Sequence, residues 1–134
     1  LKIEDVNEDF INISPYSKTP GRQIPLTSSV KRAINEYLKI RPQSNSPYLF
    51  ITRNHKPLLV RNIRQIIDRC FEEVGIKDAT VNDFRNTFIA YQLQKGVSIE
   101  YVAKIVGHRR LSSTERFLQL VNPPSGKKEK IEEL

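Results

Sequence analysis

Three consecutive helix patterns between Thr80 and Leu120 restrict the fold of this chain more than any other feature of its sequence. Thr80 and Asp83 have the spacing of a capping box, and apolar side chains follow at helical intervals until Gly96, a residue typical of helix ends. Ser98 is a natural N-cap for a second helix, which Gly107 ends. The stretch therefore predicts helices that follow one another closely.

The third pattern begins at Ser112, which has the capping-box spacing with Glu115. We expect this helix to carry Phe117, Leu120 and Val121 on one side, as the core face of a helix does. Together the three patterns place chemically useful side chains near helix ends, namely Arg85, His108 and Phe117.

Ahead of this stretch, the sequence predicts a hairpin. Residues Phe10–Ile13 alternate apolar and polar side chains as a strand does, and Gln23–Leu26 can be the antiparallel partner. A Pro-Gly pair between the two runs indicates a tight turn. This turn would hold Lys18 and Arg22 at the tip of the hairpin.

A helix and a strand are predicted next. The helix is capped by Thr27 or Ser28 and stops before Pro42, because proline disfavours helical geometry in the residue before it. The short apolar run Tyr48–Ile51 is predicted to be a third strand.

A second, longer helix closed by Gly75 follows this run. Its apolar face is expected to point inward: Ile63, Ile66, Ile67, Cys70, Phe71 and Val74. A single cysteine cannot form an internal disulfide, so Cys70 is predicted to be a small buried apolar residue in a reducing compartment.

The 134 residues predict one domain over residues 1–122 and a charged tail over residues 123–134. The expected fold class is α+β, with about five helices around a small antiparallel sheet. The 22 Lys and Arg against 15 Asp and Glu give a formal charge of +7, which indicates an anionic partner such as duplex DNA. No apolar run approaches transmembrane length, so we expect no membrane association and a cytoplasmic, nucleoid-associated protein.

The order of these elements resembles the catalytic domain of the tyrosine recombinase, or phage integrase, family from Leu1 to about Val121. The residues that carry the resemblance are the hairpin KTPGRQIPL at Lys18–Leu26, the box VNDFRNTF at Val81–Phe88, the triplet Val106-Gly107-His108 and the segment STERF at Ser113–Phe117. Arg85 and His108 are 23 positions apart, and His108 and Phe117 are 9 apart (108 − 85 and 117 − 108), as in the family. Each motif is weak, but the ordered set is specific.

In that family a tyrosine hydroxyl attacks a DNA phosphodiester and forms a 3′-phosphotyrosine, and strand exchange needs no metal and no cofactor. Arginines neutralise the charge that gathers on the phosphate oxygens. The resemblance implies that Arg85 is one of them, that His108 donates a hydrogen bond to the phosphate and that Lys18 protonates the departing 5′ oxygen. Further contacts to the DNA are expected from Arg22, Arg109, Arg110 and Arg116.

Two departures from the family pattern affect this chemistry. Phe117 stands at the nucleophile position, and a phenyl ring has no oxygen to attack phosphorus, so we expect the chain as written to be inactive in cleavage. Asn82 replaces the usual His, and an amide keeps hydrogen bonding but does not titrate. The first family arginine would precede Leu1, where the chain starts without Met, so we expect a piece of a longer protein.

Several interpretations stay open at this point. The chain is a recombinase domain with a natural or engineered loss of tyrosine, a non-enzymatic DNA-binding relative, or a helix-turn-helix regulator built from Ser98–Gly107 and Ser112–Leu120. A type IB topoisomerase fits the boxes less well. In the resembled family the tail docks on a neighbouring protomer, so Ile131 and Leu134 are predicted to support a dimer or tetramer on DNA.

Overall fold

The computed structural model describes residues 1–124 and 128–134, and the sheet in that part of the chain is a two-stranded hairpin. Strand β1 (Phe10–Ile13) pairs antiparallel with β2 (Arg22–Pro25), with Ile11 opposite Ile24. Between the strands, the backbone groups of Tyr16 and Thr19 exchange hydrogen bonds of 3.1 and 2.9 Å. The predicted pair of strands is confirmed, with its second strand shifted by one residue. The predicted turn at Pro20-Gly21 is wrong, because the chain reverses at Tyr16–Thr19 and Arg22 pairs with Ile13 inside the sheet instead of lying at the tip.

Five α-helices lie in the described residues: α1 (Ser28–Ile40), α2 (Val60–Glu73), α3 (Val81–Gln94), α4 (Ile99–Val106) and α5 (Ser112–Glu115). Short 3-10 segments cover Ile3–Asp5 and Arg116–Leu120. Thr27 precedes α1, which stops before Pro42 as predicted. The α+β architecture predicted from the sequence is therefore confirmed. None of the described helices combines the length and the apolar character that crossing a membrane requires.

The ends of α3 and α4 follow the predicted capping chemistry. The Asp83 carboxylate accepts hydrogen bonds from the Thr80 backbone N–H at 2.7 Å and from the Thr80 hydroxyl at 2.9 Å. Gly96 takes a left-handed conformation with φ of 81° after α3. The Ser98 hydroxyl oxygen accepts from the Tyr101 N–H at 3.2 Å at the start of α4. These caps end α3 and begin α4 with four residues between the two helices.

The main core lies where α3, α4 and the second 3-10 segment converge. Its buried members are apolar side chains of these elements and of the segment between α3 and α4: Ile89, Leu93, Val97, Val102, Val106 and Phe117. Tyr101 packs against this cluster, and both Tyr91 and Tyr101 are half-buried, as expected for packing aromatics. The core thus holds together the segments that carry the recombinase-like boxes.

The predicted third strand at Tyr48–Ile51 is wrong. Tyr48 forms only an isolated bridge with Lys2, and Ile51 only an isolated bridge with Pro57. The Arg41 guanidinium takes carbonyls of this run instead, donating to the Tyr48 oxygen at 2.8 Å and to the Leu49 oxygen at 3.0 Å. The run is buried at Leu49, and its backbone is satisfied by Arg41 together with single backbone contacts, such as the Leu49 N–H to the Leu1 carbonyl at 3.1 Å, instead of a continuous strand pairing.

Helix α2 does not bury the whole predicted face. Phe71 is buried and stacks on Phe84 of α3, with ring centroids 5.0 Å apart. Ile66 and Val74 are 51% and 69% exposed, and Cys70 is an exposed residue, so its predicted burial is wrong. Helical periodicity identifies the apolar face of α2 but not how much of it a neighbouring element covers, and the buried residue of this face is the one that stacks on α3.

The capping box predicted at Ser112 does not form. Leu111 already has helical geometry, with φ of −60° and ψ of −36°, so Ser112 lies inside the first turn, where its side chain cannot act as the cap. Phe117 is buried and Val121 half-buried, as expected, but Leu120 is 73% exposed where the chain turns to an extended conformation.

The described tail residues, 128–134, run back along their own chain. The Gln92 side chain donates to the Glu132 carbonyl at 2.7 Å and accepts from the Glu132 N–H at 2.8 Å. Lys128 forms a parallel bridge with Val97. The start of the predicted tail adjoins residues 125–127, which lie outside the described residues.

Candidate nucleic-acid interface

Two arginines meet at the C-terminal end of α4. An α-helix leaves its last carbonyls without partners inside the helix, and the negative end of its dipole favours cations there. Arg22 of β2 donates from Nε to the Ile105 carbonyl at 2.9 Å, and Arg85 of α3 donates to the carbonyl of the next residue, Val106. Two guanidinium groups from distant parts of the sequence are thereby held at one helix end.

Gly107 makes room for this arrangement. Its φ of 74° is left-handed, a conformation in which a side chain is strained. A Cβ at this position would also lie 2.9 Å from the Arg22 Cζ. Gly107 therefore has two roles: it ends α4 in a left-handed conformation, and it leaves space for the Arg22 guanidinium.

The electrostatics of the arginine pair point to an anion. Arg85 keeps much of its side chain exposed, but partial burial lowers the pKa of its guanidinium, and the positive charge of Arg22 lowers it further. Across residues 1–124 and 128–134, the ion pairs involve Lys2, Lys31, Lys39 and Lys128, and none of them reaches these arginines. An arginine pair without a carboxylate partner has donors left for a ligand with several acceptor oxygens, such as phosphate.

His108 follows Gly107 and extends the site. Burial lowers the pKa of its imidazole, and the charges of Arg85 and Arg116 lower it further, which favours the neutral ring. Its Nδ1 lies 2.7 Å from the Thr114 hydroxyl oxygen. No role for Thr114 follows from the sequence alone; the only signal is its place in the STERF segment.

The aromatic at the nucleophile position is part of the core. Phe117 is 5% exposed, and the Arg116 Cζ lies 5.1 Å from the centroid of its ring. The charges of Arg116 and Arg85 both act on His108, so these side chains belong to one neighbourhood. The structure thus gathers Arg22, Arg85, His108 and Arg116 near the end of α4, with Arg116 lying against the buried ring of Phe117.

Four other predicted site residues lie apart from this cluster. Lys18 is exposed at the hairpin tip, and Arg109 and Arg110 are exposed in the loop between α4 and α5. Asn82 is exposed in the first turn of α3 and lines a cavity of about 440 Å³ beside α2. None of the four hydrogen-bonds to the gathered side chains in the described structure, so their roles stay predictions.

The described residues contain no group of three or more His, Cys, Asp and Glu side chains placed to hold a metal ion. The chemistry that the gathered side chains themselves offer is multiple hydrogen-bond donation to an oxyanion, from guanidinium and imidazole groups.

Comparison with known proteins gives consistent matches along most of the chain. The model of the "Phage integrase family" matches residues 1–122. Tyrosine recombinase XerA of Pyrococcus horikoshii is 32% identical over 125 residues, which cover 90% of this chain and 43% of that protein. Tyrosine recombinase XerC of Staphylococcus carnosus is 26% identical over 127 residues, covering 91% of this chain and 43% of that protein. The chain therefore spans less than half the length of these relatives.

Solved structures share the fold. The crystal structure of XerA recombinase superposes with a TM-score of 0.79 at 25% identity, covering 87% of this chain and 44% of that one. A Tyr-to-Phe variant of the Tn1549 transposon integrase, in complex with transposon right-end DNA, gives 0.77 at 20% identity, with 87% and 47% covered. The XerH site-specific recombinase, bound to palindromic difH substrate after cleavage, gives 0.74 at 20%, with 90% and 36% covered.

Proposed function

Since this chain belongs to the phage integrase family, we propose that it is the part of a site-specific tyrosine recombinase that binds duplex DNA and surrounds the scissile phosphate. One observation carries the proposal. Arg22 and Arg85 are anchored on adjacent carbonyls at the end of α4, and no described carboxylate pairs with them. The phosphate of a DNA backbone supplies the negative charge that this pair lacks.

The anchoring prepares the site before DNA arrives. A guanidinium has five N–H donors, and each arginine spends one of them on an α4 carbonyl. The remaining donors are held in place for the nonbridging oxygens, where negative charge gathers during phosphoryl transfer. His108, on which the charge of Arg85 acts, supplies a further donor.

The remaining site residues are proposed from the family resemblance. Lys18, exposed at the hairpin tip, protonates the departing 5′ oxygen once DNA brings it near, and Asn82 adds a neutral hydrogen bond. Neighbouring phosphates along the duplex are contacted by Arg109, Arg110 and Arg116. No metal or other cofactor takes part in this scheme.

The same scheme makes the chain inactive in cleavage as written. Phe117 fills the nucleophile position with a buried ring that has no hydroxyl. DNA binding does not depend on that oxygen, because the cations that attract phosphate lie on other residues. A Tyr-to-Phe variant of the Tn1549 integrase is found in complex with DNA, which supports binding without such a hydroxyl.

We further propose that copies of the chain assemble on DNA as a dimer or tetramer through the tail. The Gln92 amide bonds the backbone of Glu132 and none of its side-chain atoms, so the same amide can bond the tail of a neighbouring copy. Ile131 is half-buried against the chain and Leu134 is 72% exposed, which leaves Leu134 free for a contact between copies.

The other interpretations receive different support. A helix-turn-helix regulator needs a second helix that lies in the major groove, and α5 has only 4 residues. A non-enzymatic DNA-binding relative would share the phosphate-binding side chains and would differ only in never having cleaved DNA.

We propose that the protein lies at the nucleoid, because its substrate is chromosomal or mobile DNA.

Binding is tested first with the chain itself. Fluorescence anisotropy with duplex DNA should show an affinity that falls steeply as salt is added, since phosphate contacts release counterions. Arg85→Ala should weaken binding by about tenfold or more, as expected for losing a charged hydrogen bond of about 1.5–3 kcal/mol. Lys39→Ala is the matched control, because Lys39 is an exposed cation already paired with Glu36 at 2.6 Å. Equal losses of DNA affinity in the two variants would contradict a specific phosphate site at Arg85.

Cleavage is tested in the full-length protein with Phe117→Tyr. A nicked duplex containing the bound sequence, selected from genomic fragments, should give a covalent protein–DNA adduct on a denaturing gel. Adding Arg85→Ala should abolish the adduct. Intact binding without an adduct would favour the non-enzymatic relative.

A further inference from the structure

The hydroxyl of Thr114 is buried beside the imidazole of His108. Thr114 has 0% relative exposure, and its Oγ1 lies 2.7 Å from the His108 Nδ1. Within the described part of the chain, this nitrogen is the one hydrogen-bond partner of the Thr114 hydroxyl, and no buried side-chain donor or acceptor is left unsatisfied. His108 Nδ1 is therefore the acceptor available to the Thr114 hydroxyl hydrogen in the described residues.

Only one direction of this hydrogen bond gives the hydroxyl hydrogen an acceptor. If Nδ1 carried the proton, it would donate to Oγ1, and the hydroxyl hydrogen would be buried without an acceptor, which costs about 1–3 kcal/mol. If the hydroxyl donates, Nδ1 is the acceptor and every polar atom of the contact is paired. A neutral imidazole that accepts at Nδ1 carries its proton on Nε2.

We propose that Thr114 is a positioning residue that keeps the proton of His108 on Nε2, so that the ring can donate to the scissile phosphate. The inference rests on the proposed function for the phosphate and on the hydrogen-bond geometry for the position of the proton. It deepens that function, because Thr114 touches no reacting atom and acts through the imidazole.

The neutral ring is what makes the tautomer matter. A doubly protonated imidazole would donate from both nitrogens whatever its surroundings. Burial and the positive charges of Arg85 and Arg116 oppose that form. With one proton on the ring, the other tautomer would turn a lone pair towards the phosphate oxygens, and the contact would be repulsive.

The direct test needs no substitution. Imidazole nitrogen shifts of the ¹⁵N-labelled chain at neutral pH should show Nδ1 unprotonated and Nε2 protonated at His108. A protonated Nδ1 in the unaltered chain would overturn the proposal.

Two variants at Thr114 separate the hydroxyl from the shape of the side chain. Thr114→Ser keeps the hydroxyl and should keep both the tautomer and the affinity for duplex DNA. Thr114→Val has nearly the same shape without the hydroxyl, so it should mix the two tautomers. The affinity should then fall in proportion to the share of rings that keep the proton on Nε2, which is about twofold where the two tautomers are equally populated. Retention of the wild-type shifts and affinity in Thr114→Val would also overturn the proposal.

A double-mutant cycle excludes a purely structural role. In a chain with His108→Ala, Thr114→Val should cause no further loss of DNA affinity, because the positioned group is already absent. An undiminished further loss would show that Thr114 acts through packing and would sink the inference.

Failure of the proposed function and failure of the positioning role give different experimental results. If the Nε2 tautomer depends on Thr114 but the chain does not bind DNA, the proposed function fails and the positioning role stands. If DNA binding depends on Arg85 but not on the tautomer, only the positioning role is refuted.

Discussion

The guanidinium of Arg22 lies against the backbone of Gly107, so close that a Cβ built on the glycine would stand 2.9 Å from the Arg22 Cζ. Arg22 comes from the hairpin, and its hydrogen bond to Ile105 joins residues 83 positions apart. A residue without a side chain at the end of α4 thus determines where a cation of the hairpin can rest.

Replacing Gly107 with alanine should therefore damage binding as well as stability. The left-handed φ of 74° should cost about 1–2 kcal/mol of unfolding free energy, measured by urea denaturation. The new methyl group should also displace the flexible Arg22 side chain from the Ile105 carbonyl. We expect the affinity for duplex DNA, measured by fluorescence anisotropy, to fall by about tenfold.

Gly75 offers a matched control for this substitution. Its φ is 73°, but a Cβ there would have no heavy atom within 4 Å. Gly75→Ala should lose a similar amount of stability and bind DNA as the unaltered chain does. Equal binding losses in both variants would show that strain, and not the Arg22 contact, weakens binding.

Substituting Gln92 should release the tail. Gln92→Ala removes both hydrogen bonds to the Glu132 backbone, so the Glu132 amide should exchange its hydrogen much faster in NMR exchange measurements. Gln94 serves as the control because it makes an equivalent pair of bonds to Asn122, at 3.2 and 3.0 Å. Gln94→Ala should speed the exchange of Asn122 and leave Glu132 protected; protection of Glu132 in both variants would refute the docking role of Gln92.

The thiol of the exposed residue Cys70 should react in the folded protein. A thiol reagent such as Ellman's reagent should modify it completely without denaturant, and Cys70→Ser should change the unfolding free energy by no more than about 0.5 kcal/mol, as surface substitutions usually do. A thiol that reacts only after unfolding would show that something covers this face of α2 in solution.

Much of the fold was predictable because its signals are local. The capping box at Thr80, the N-cap at Ser98 and the left-handed glycines depend on residues within one helical turn, and all of them are found in the structure. The failures depend on contacts distant in sequence or on the neighbouring backbone. Arg41 bonds the carbonyls of Tyr48 and Leu49, and the helical geometry of Leu111 removes the cap at Ser112.

The candidate site divides in the same way. Family boxes mark Arg85 and His108 in the sequence, and the structure brings the two together. The role of Arg22 at the end of α4 does not follow from the sequence. Its place in the hairpin predicts an exposed side chain, and only the structure shows its hydrogen bond to the Ile105 carbonyl. Thr114 had no signal of its own, since its partner depends on how the loop after α4 folds back onto α5.

The stability of the chain should fall in mild acid because of His108. Its folded pKa lies below the ordinary value of 6.5, since burial and the charges of Arg85 and Arg116 disfavour the protonated ring. Between these two pKa values the unfolded state binds more protons than the folded state, so the stabilisation present above pH 6.5 is lost as the pH falls towards the folded pKa. Urea unfolding from about pH 8 to about pH 5 should show this loss, and His108→Gln should reduce it in that window.

An NMR titration of His108 should give a pKa below 6.5 for the free chain and a higher pKa with duplex DNA bound, because the phosphate offsets the charges of Arg85 and Arg116. A pKa that stays the same on binding would place the phosphate away from His108.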